Sequence, residues 1–534
     1  MKRNKVIRLL ASVATLALAA STMVGVTTAA AAASKTCNLK SRPTNAICDT
    51  FIYASLHRVQ SLDKKAPVSG YTESQMTYIV QGQLYRFDAD GQARRDLVES
   101  ESISADSLTI TQTLKSGLKY SDGTPVVAND AVVSYDRWST SKFSAGYIAK
   151  VDKVVAKDSR TLVWTLKSPY PDFHFAMAQE FLGLHPGNRV DTEAKAKEYF
   201  KAPVSAGPLM VKTFNPTGDL FEAAANPNYW AKPILKLLKV VTIPDANARL
   251  AAFQNGSVDF VYELPLTSKD IKWDKTKFRV AAALDSGTFM IPINMGPLQP
   301  NKALRDNRVR KALSLSIDRA GIMRNAFGGL SKANCGMQYN YNNPLYLCSL
   351  PKNGVRDISS ARKLMNQAGY SDGFKMKLAV PNRVLWSEVA VILKENWSRI
   401  GIDVTIDLQP DATIGQYLNV QRNWEIMWFG NNAATPLLQL NNWFATAGLW
   451  AGFVGYSDPE GAKLLDEASS MTNRGQIRDN LVKLEKIAFE SSHFIPVGTR
   501  FNIIGSNIAA NLIQPPIPGQ LEFFVATNPA LPRD

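Results

Sequence analysis

Histidine and cysteine are scarce, with four of each in 534 residues. His57, His174, His185 and His493 stand singly, and no cysteine pair has the close spacing of a zinc site, so neither a metal nor another cofactor is expected. The chain also lacks the glycine-rich loops that cradle nucleotides, the nucleophile elbow of the α/β-hydrolases and the His-Glu-x-x-His pair of zinc proteases. Ser-x-x-Lys occurs at Ser61/Lys64, Ser116/Lys119, Ser139/Lys142 and Ser360/Lys363, without the Lys-Thr-Gly and Ser-Asp-Asn partners of a penicillin-binding site. An enzyme is therefore not expected. Beyond residue 34 no apolar run reaches the roughly 18 residues of a membrane span, and there is no solenoid repeat or low-complexity tract.

What is present is an ordinary globular composition, 45% hydrophobic and 20% charged, on a chain long enough for several cores. Lys+Arg 61 against Asp+Glu 46 gives +15, but the excess is dispersed and forms no stripe, so no nucleic-acid partner is expected. Four of the positive charges, Lys2, Arg3, Lys5 and Arg8, precede Leu9 to Ser34, which carries no charge and places Ala31-Ala32-Ala33 before Ser34. This is the pattern of a cleaved secretory leader over residues 1–33, and it predicts a mature chain in the periplasm or otherwise outside the cytoplasmic membrane. Cys37 follows Ser34-Lys35-Thr36, which does not suit a lipid anchor. In an oxidising compartment the four cysteines read as disulfides; of the three possible connectivities, spacing favours Cys37 with Cys48 and Cys335 with Cys348.

Periodicity alternates between strand and helix throughout. Ser107 to Leu114 and Thr161 to Leu166 have period two, a helix is expected after a cap at Asn129-Asp130, and a helix then a strand over Tyr71 to Val98 meets a turn at Asp88 to Gly91. Helical spacing is strong in Arg305 to Met323, Ser359 to Ala368, Trp386 to Ile400 and Arg478 to Phe489. A mixed α/β architecture follows.

Several segments, in order, resemble the extracellular solute-binding proteins of family 5, which serve dipeptide, oligopeptide and nickel ABC importers. They are Ser61-Leu62-Asp63, Leu97 to Ser100, Leu114 to Val126, Asp130 to Arg137, Gly207-Pro208, Asn226 to Trp230, Ile243 to Ala246 with Ala248-Arg249, and Gly256 to Asp259. Asp306 to Leu313, Ile317 to Arg319, Ala361 to Leu364 and Ala368 to Tyr370 continue the series, and the likeness runs from about Ser61 to Asn502. The resemblance implies a two-lobed, hinge-linked periplasmic-binding-protein fold of class II with an extra α/β domain in the first half. The first lobe would be discontinuous, at 34–77, 206–295 and 496–534, with the extra domain at 78–205 and the second lobe at 296–495. It also implies a monomer that closes on a small-molecule solute and delivers it to an ABC permease, or, alternatively, a sensor of the same fold acting on a membrane receptor.

Glu425 to Pro436 resembles the family's ligand-facing strand and turn, which makes Trp428, Gly430, Asn431, Asn432 and Ala434 candidate binding residues. By this register Ala434 stands where peptide-binding members carry an aspartate for the ligand's ammonium, and Asn431 and Asn432 offer neutral amides instead. Trp386 falls at a pocket position of the family, and Arg500 lies on a strand expected to line the cleft. Ala434→Asp is expected to raise affinity for amine-bearing peptides through a charge-assisted contact. Calorimetry with a tripeptide panel checks this, and unchanged affinity would place the register elsewhere.

Overall fold

The computed structural model describes residues 48–65, 71–87, 92–231, 233, 235–333, 355–383, 385–431, 436–445, 448–456 and 458–507. The leader, Cys37, Cys335, Cys348, the turn at Asp88 to Gly91, Asn432 and Ala434 lie outside them. Among the described residues the strands of the first half are β1 (Cys48–Ser55), β2 (Tyr85–Phe87), β3 (Ala93–Arg95), β4 (Val98–Ile103), β5 (Thr109–Leu114), β6 (Val151–Ala156) and β7 (Thr161–Leu166). Then come β8 (Leu209–Thr213), β9 (Leu220–Ala225), β10 (Leu235–Thr242), β11 (Phe260–Val261) and β12 (Phe278–Pro292). The last are β13 (Phe374–Pro381), β14 (Ile402–Gln409), β15 (Ile426–Met427), β16 (Phe429–Asn431) and β17 (Phe494–Asn507).

An eight-stranded mixed sheet runs β16-β12-β17-β11-β1-β10-β9-β8, and β2 pairs with β3. A separate antiparallel sheet, β4-β5-β7-β6, is followed along the chain by a parallel one, β14-β13-β15. The long strands β12 and β17 pair from Phe278 with Asn507 to Pro292 with Phe494, and their register shifts between Leu284 and Thr288 and again at Phe289 to Met290. At one end of this ladder β17 pairs with β11; at the other β12 pairs with β16.

Local chemistry accounts for where elements start and stop. The strand expected from Ser107 begins at Thr109, because Asp106 Oδ1 accepts from the Leu108 amide at 3.0 Å and Ser107 takes a left-handed φ of 59°, a turn and not a strand. The helix expected after Asn129-Asp130 is Ala128–Thr140; its cap is Val127, and Asp130 acts from inside the first turn, accepting from the Val127 amide at 3.0 Å. The periodicity from Arg305 to Met323 resolves into two helices, Asn307–Ser316 and Arg319–Asn325. Ile317 is extended between them, and Asp318 caps the second through the Gly321 amide at 2.8 Å.

One apolar core is drawn wholly from residues 78–206, around Leu97, Ile110, Leu114, Trp138, Trp164 and Phe173. Under the eight-stranded sheet Phe51, Tyr53, Leu238 and Phe260 pack with Val190, Ala196, Tyr199 and Phe200. Of these last four, Val190 ends helix Gly187–Val190, Ala196 and Tyr199 lie on helix Glu193–Tyr199, and Phe200 follows it. A third core joins β12 and β17 to β13, β14 and helices Asn307–Ser316 and Trp386–Ser398, and a fourth surrounds Trp443, Trp450, Leu465 and Leu484.

A buried ion pair ties residues 78–206 to the strand system that follows. Arg86 and Asp96 are both fully buried and hydrogen-bonded to each other. Asp96 also accepts from Tyr229 Oη at 2.6 Å and from Trp230 Nε1 at 2.7 Å. Asp96→Ala would leave the Arg86 guanidinium buried without its counter-charge, and denaturant titration is expected to show a loss of about 3–5 kcal/mol. Tyr229→Phe, which removes one bond to a charged group, should cost about 1.5–3 kcal/mol.

His185 sits edge-on to Tyr199 and Phe200, with ring centroids 5.6 and 4.9 Å away; burial, reinforced by the Arg137 charge, pushes its pKa down to about 3. The unfolded imidazole titrates near its usual 6.5, so the unfolded chain binds the proton first as pH falls. The stability of wild type relative to His185→Phe should therefore be constant above pH 6.5 and fall towards pH 3 by at most about 1.4 kcal/mol per pH unit. Thermal or denaturant unfolding across that range checks it.

Candidate functional site

In the parallel sheet the central strand β13 is flanked by β14 on one side and β15 on the other, so the strand order reverses at β13. The crevice beyond the carboxyl end of such a strand is where open α/β sheets receive ligands. Beyond β13 come Asn382 and Arg383, then Leu385 and the helix Trp386–Ser398. Here lies a cavity of about 310 Å³. Asn382, Arg383, Leu385, Trp386, Ser387 and Glu388 form one wall, Leu56, Pro244, Asp245, Ala246, Arg249, Glu263 and Leu264 another, and Phe289 with Phe501, Asn502 and Ile503 of β12 and β17 complete it.

Each wall carries a non-glycine residue in the left-handed region, Leu385 at φ 71° and Glu263 at φ 60°. Such a conformation costs on the order of 1–3 kcal/mol and persists where surrounding contacts impose it. For Glu263 the contact is Arg249, whose Nη2 donates to the Glu263 carbonyl at 2.7 Å while Nη1 donates to the Ile243 and Pro244 carbonyls at 2.7 Å. Burial lowers the pKa of this guanidinium, and among the described residues its Nε has no hydrogen-bond partner. Across the cavity the Arg383 guanidinium lies 5.1 Å from the Trp386 ring centroid and 3.8 Å from Glu263 Oε1, so one cation faces an aromatic plane and a carboxylate from the opposite wall.

An aromatic cluster supports the Trp386 side. Phe289 stacks on Phe327 and Trp428, with centroids 5.0 and 5.3 Å away, and meets Trp386 edge-on at 5.7 Å. Trp386 lines the cavity, whereas Trp428 is completely buried, is not among the lining residues and packs as core. Gly430 and Arg500 adjoin the cluster. A Cβ on Gly430 would stand 3.2 Å from Arg500 Cδ and 3.7 Å from Trp386 Cη2, so the glycine leaves room for the arginine to pass. Arg500 Nη2 donates to Tyr262 Oη at 3.3 Å, and the same hydroxyl accepts from Asn502. Asn431 pairs with Thr288 across β16 and β12.

Arg249, Glu263, Asn382, Arg383, Glu388 and Asn502 were not singled out as binding residues from the sequence. The one signal for Asn382 and Arg383 is their place just after a β-rich apolar run, and for Arg249 its membership of the family-like segment. Of the Ser-x-x-Lys pairs, Ser61/Lys64 forms no dyad, since Lys64 Nζ donates to Ser74 Oγ at 2.8 Å. Among the described residues no three His, Cys, Asp or Glu side chains converge as a metal site, and no helix is long and apolar enough to cross a membrane.

Comparison with known proteins places this geometry. The family described as bacterial extracellular solute-binding proteins, family 5 Middle, matches residues 92–451. The glutathione-binding protein GsiB of Salmonella typhi is 26% identical over 333 residues, 60% of this chain and 62% of that protein. GsiB of Pectobacterium atrosepticum is 27% identical over the same shares. The match thus spans less than two thirds of these relatives' length. Among solved structures, AgaA of A. tumefaciens R10 in complex with agropinic acid superposes with a TM-score of 0.80 at 20% identity, covering 89% of this chain and 96% of that one. DppA of Helicobacter pylori in complex with the peptide STSA gives 0.80 at 19% identity, over 90% and 97%. At these identities the structural likeness is one of fold, and with the match over residues 92–451 it makes the chain a member of the bacterial extracellular solute-binding proteins, family 5, built on their two-lobed α/β architecture.

Proposed function

We propose that this chain is the solute-capture subunit of an ABC importer, working outside the cytoplasmic membrane after loss of residues 1–33 and passing its solute as a monomer to a membrane permease. The observation that carries this reading is the cavity of about 310 Å³ whose walls come from both halves of the chain and whose remaining side is the β12–β17 ladder. The division into a first lobe at 34–77, 206–295 and 496–534, an extra domain at 78–205 and a second lobe at 296–495 is part of the proposal. It is supported by the separate core of residues 78–206 and by the parallel sheet confined to β13, β14 and β15. Solute touching both lobes would favour the closed arrangement, and capture of this kind needs no covalent step.

The solute class follows from size and charge. The volume is at the small end of ligand sites, enough for a dipeptide-sized molecule and short for a long peptide. Arg249 and Arg383 against Glu263 and Glu388 suit a polar solute bearing both signs of charge. Relatives named for glutathione and neighbours holding agropinic acid or a peptide agree with a peptide-like or other polar organic acid.

Calorimetry against glutathione, dipeptides and opine acids tests the reading, and silence across the whole panel would count against it. With a binder in hand, Trp386→Ala should weaken affinity by about 1–3 kcal/mol. Trp428→Ala should act on folding, by about 3–5 kcal/mol, and leave the affinity of the folded fraction close to wild type.

A further inference from the structure

Far along the chain from the ladder, the segment 143–150 of the first half meets helices Pro436–Phe444 and Pro459–Ser470 of the second half directly. Phe143 belongs to the core around Trp443 and Trp450, and Phe181 stacks against it with centroids 6.0 Å apart. Asn441 Nδ2 donates to the Gly146 carbonyl at 2.6 Å. The Lys150 ammonium gathers four acceptors: Ser168 Oγ at 3.0 Å on its own side, and across the junction Asp466 Oδ1 at 2.7 Å, the Asp466 carbonyl at 3.1 Å and Ser470 Oγ at 2.7 Å. The Lys150 side chain is 11% exposed and that of Asp466 70%, so the ammonium is sheltered by the junction while its carboxylate partner stands at the solvent edge.

The junction is not packed like a permanent core. Cavities of about 290 and 250 Å³ flank it, the first beside Lys150, Asn441 and Asp466 and the second beside Ser141, Lys142 and Phe453. A contact bordered by two solvent-open clefts and made by one aromatic insertion and a few hydrogen bonds is a limited interface of the kind across which domains can separate.

We propose that Lys150, with Phe143 beside it, is a latch: the extra domain docks on the second lobe and holds the two lobes closed through protein contacts of its own, in addition to whatever the solute supplies. The inference rests on the two-lobed capture reading but locates part of the closing free energy away from the solute cavity. Its consequence is a solute-free protein that populates the closed arrangement appreciably and releases a captured solute only after the Lys150 cluster opens.

Small-angle scattering and amide exchange on the full-length mature protein, with no solute added, test this. Lys150→Asp sets two carboxylates face to face and is expected to lower the closed-to-open ratio at least about tenfold, raising the radius of gyration and the exchange of residues 143–150 and 466–470. Lys150→Asp combined with Asp466→Lys should restore both readings, which separates unlatching from unfolding. Unchanged scattering and exchange in Lys150→Asp, or a charge-swapped protein as open as the single variant, would overturn the latch. Because no solute enters the experiment, failure to find one bears on the capture reading alone.

Discussion

The pairing of β12 with β17 is the constraint on which the rest of the molecule depends. Two strands of 15 and 14 residues run side by side, paired to β11 at one end and to β16 at the other, so both halves of the chain are continuous with one hydrogen-bonded ladder. A ladder of that length resists shear, because slipping by one residue would turn every buried side chain of β17 to the wrong face. It can bend where pairing is already interrupted, and its register shifts between Leu284 and Thr288 and again after Phe289. Phe289, at the second of these, stands between Trp386 and Trp428, so the irregular part of the ladder and the cavity share a side chain.

Two arginines shape the cavity in different ways. Arg249 spends two nitrogens on three carbonyls and so holds the wall that carries Glu263 in its left-handed conformation. Arg383 lies against an aromatic face and 3.8 Å from the Glu263 carboxylate. The fully buried Arg86–Asp96 pair is the opposite case, with every partner supplied by the protein and no freedom to rearrange.

The first half of the chain is joined to the remainder in two physically different ways. Around Asp96 the connection is dry, charged and saturated; around Lys150 it is polar and bordered by space. The difference is the one the proposed latch requires, with one junction moving as a unit with its sheet and the other able to open.

Read alone, the sequence determined the alternation of strand and helix and the ordered family segments. Those signals are local: period-two and period-3.6 patterns, caps and short motifs depend on neighbours within a few residues. Boundaries such as Thr109 and the break at Ile317 were lost where a side chain two or three positions away captured a backbone amide. The tertiary structure alone decided that Trp428 is core while Trp386 faces space, since both are tryptophans in apolar surroundings and only packing against Phe289 separates them. It also brought Arg383 to Glu263 and Lys150 to Asp466, pairs 120 and 316 positions apart, because a charge acts through space and nothing in the local pattern of a lysine or arginine states which carboxylate the fold will set beside it.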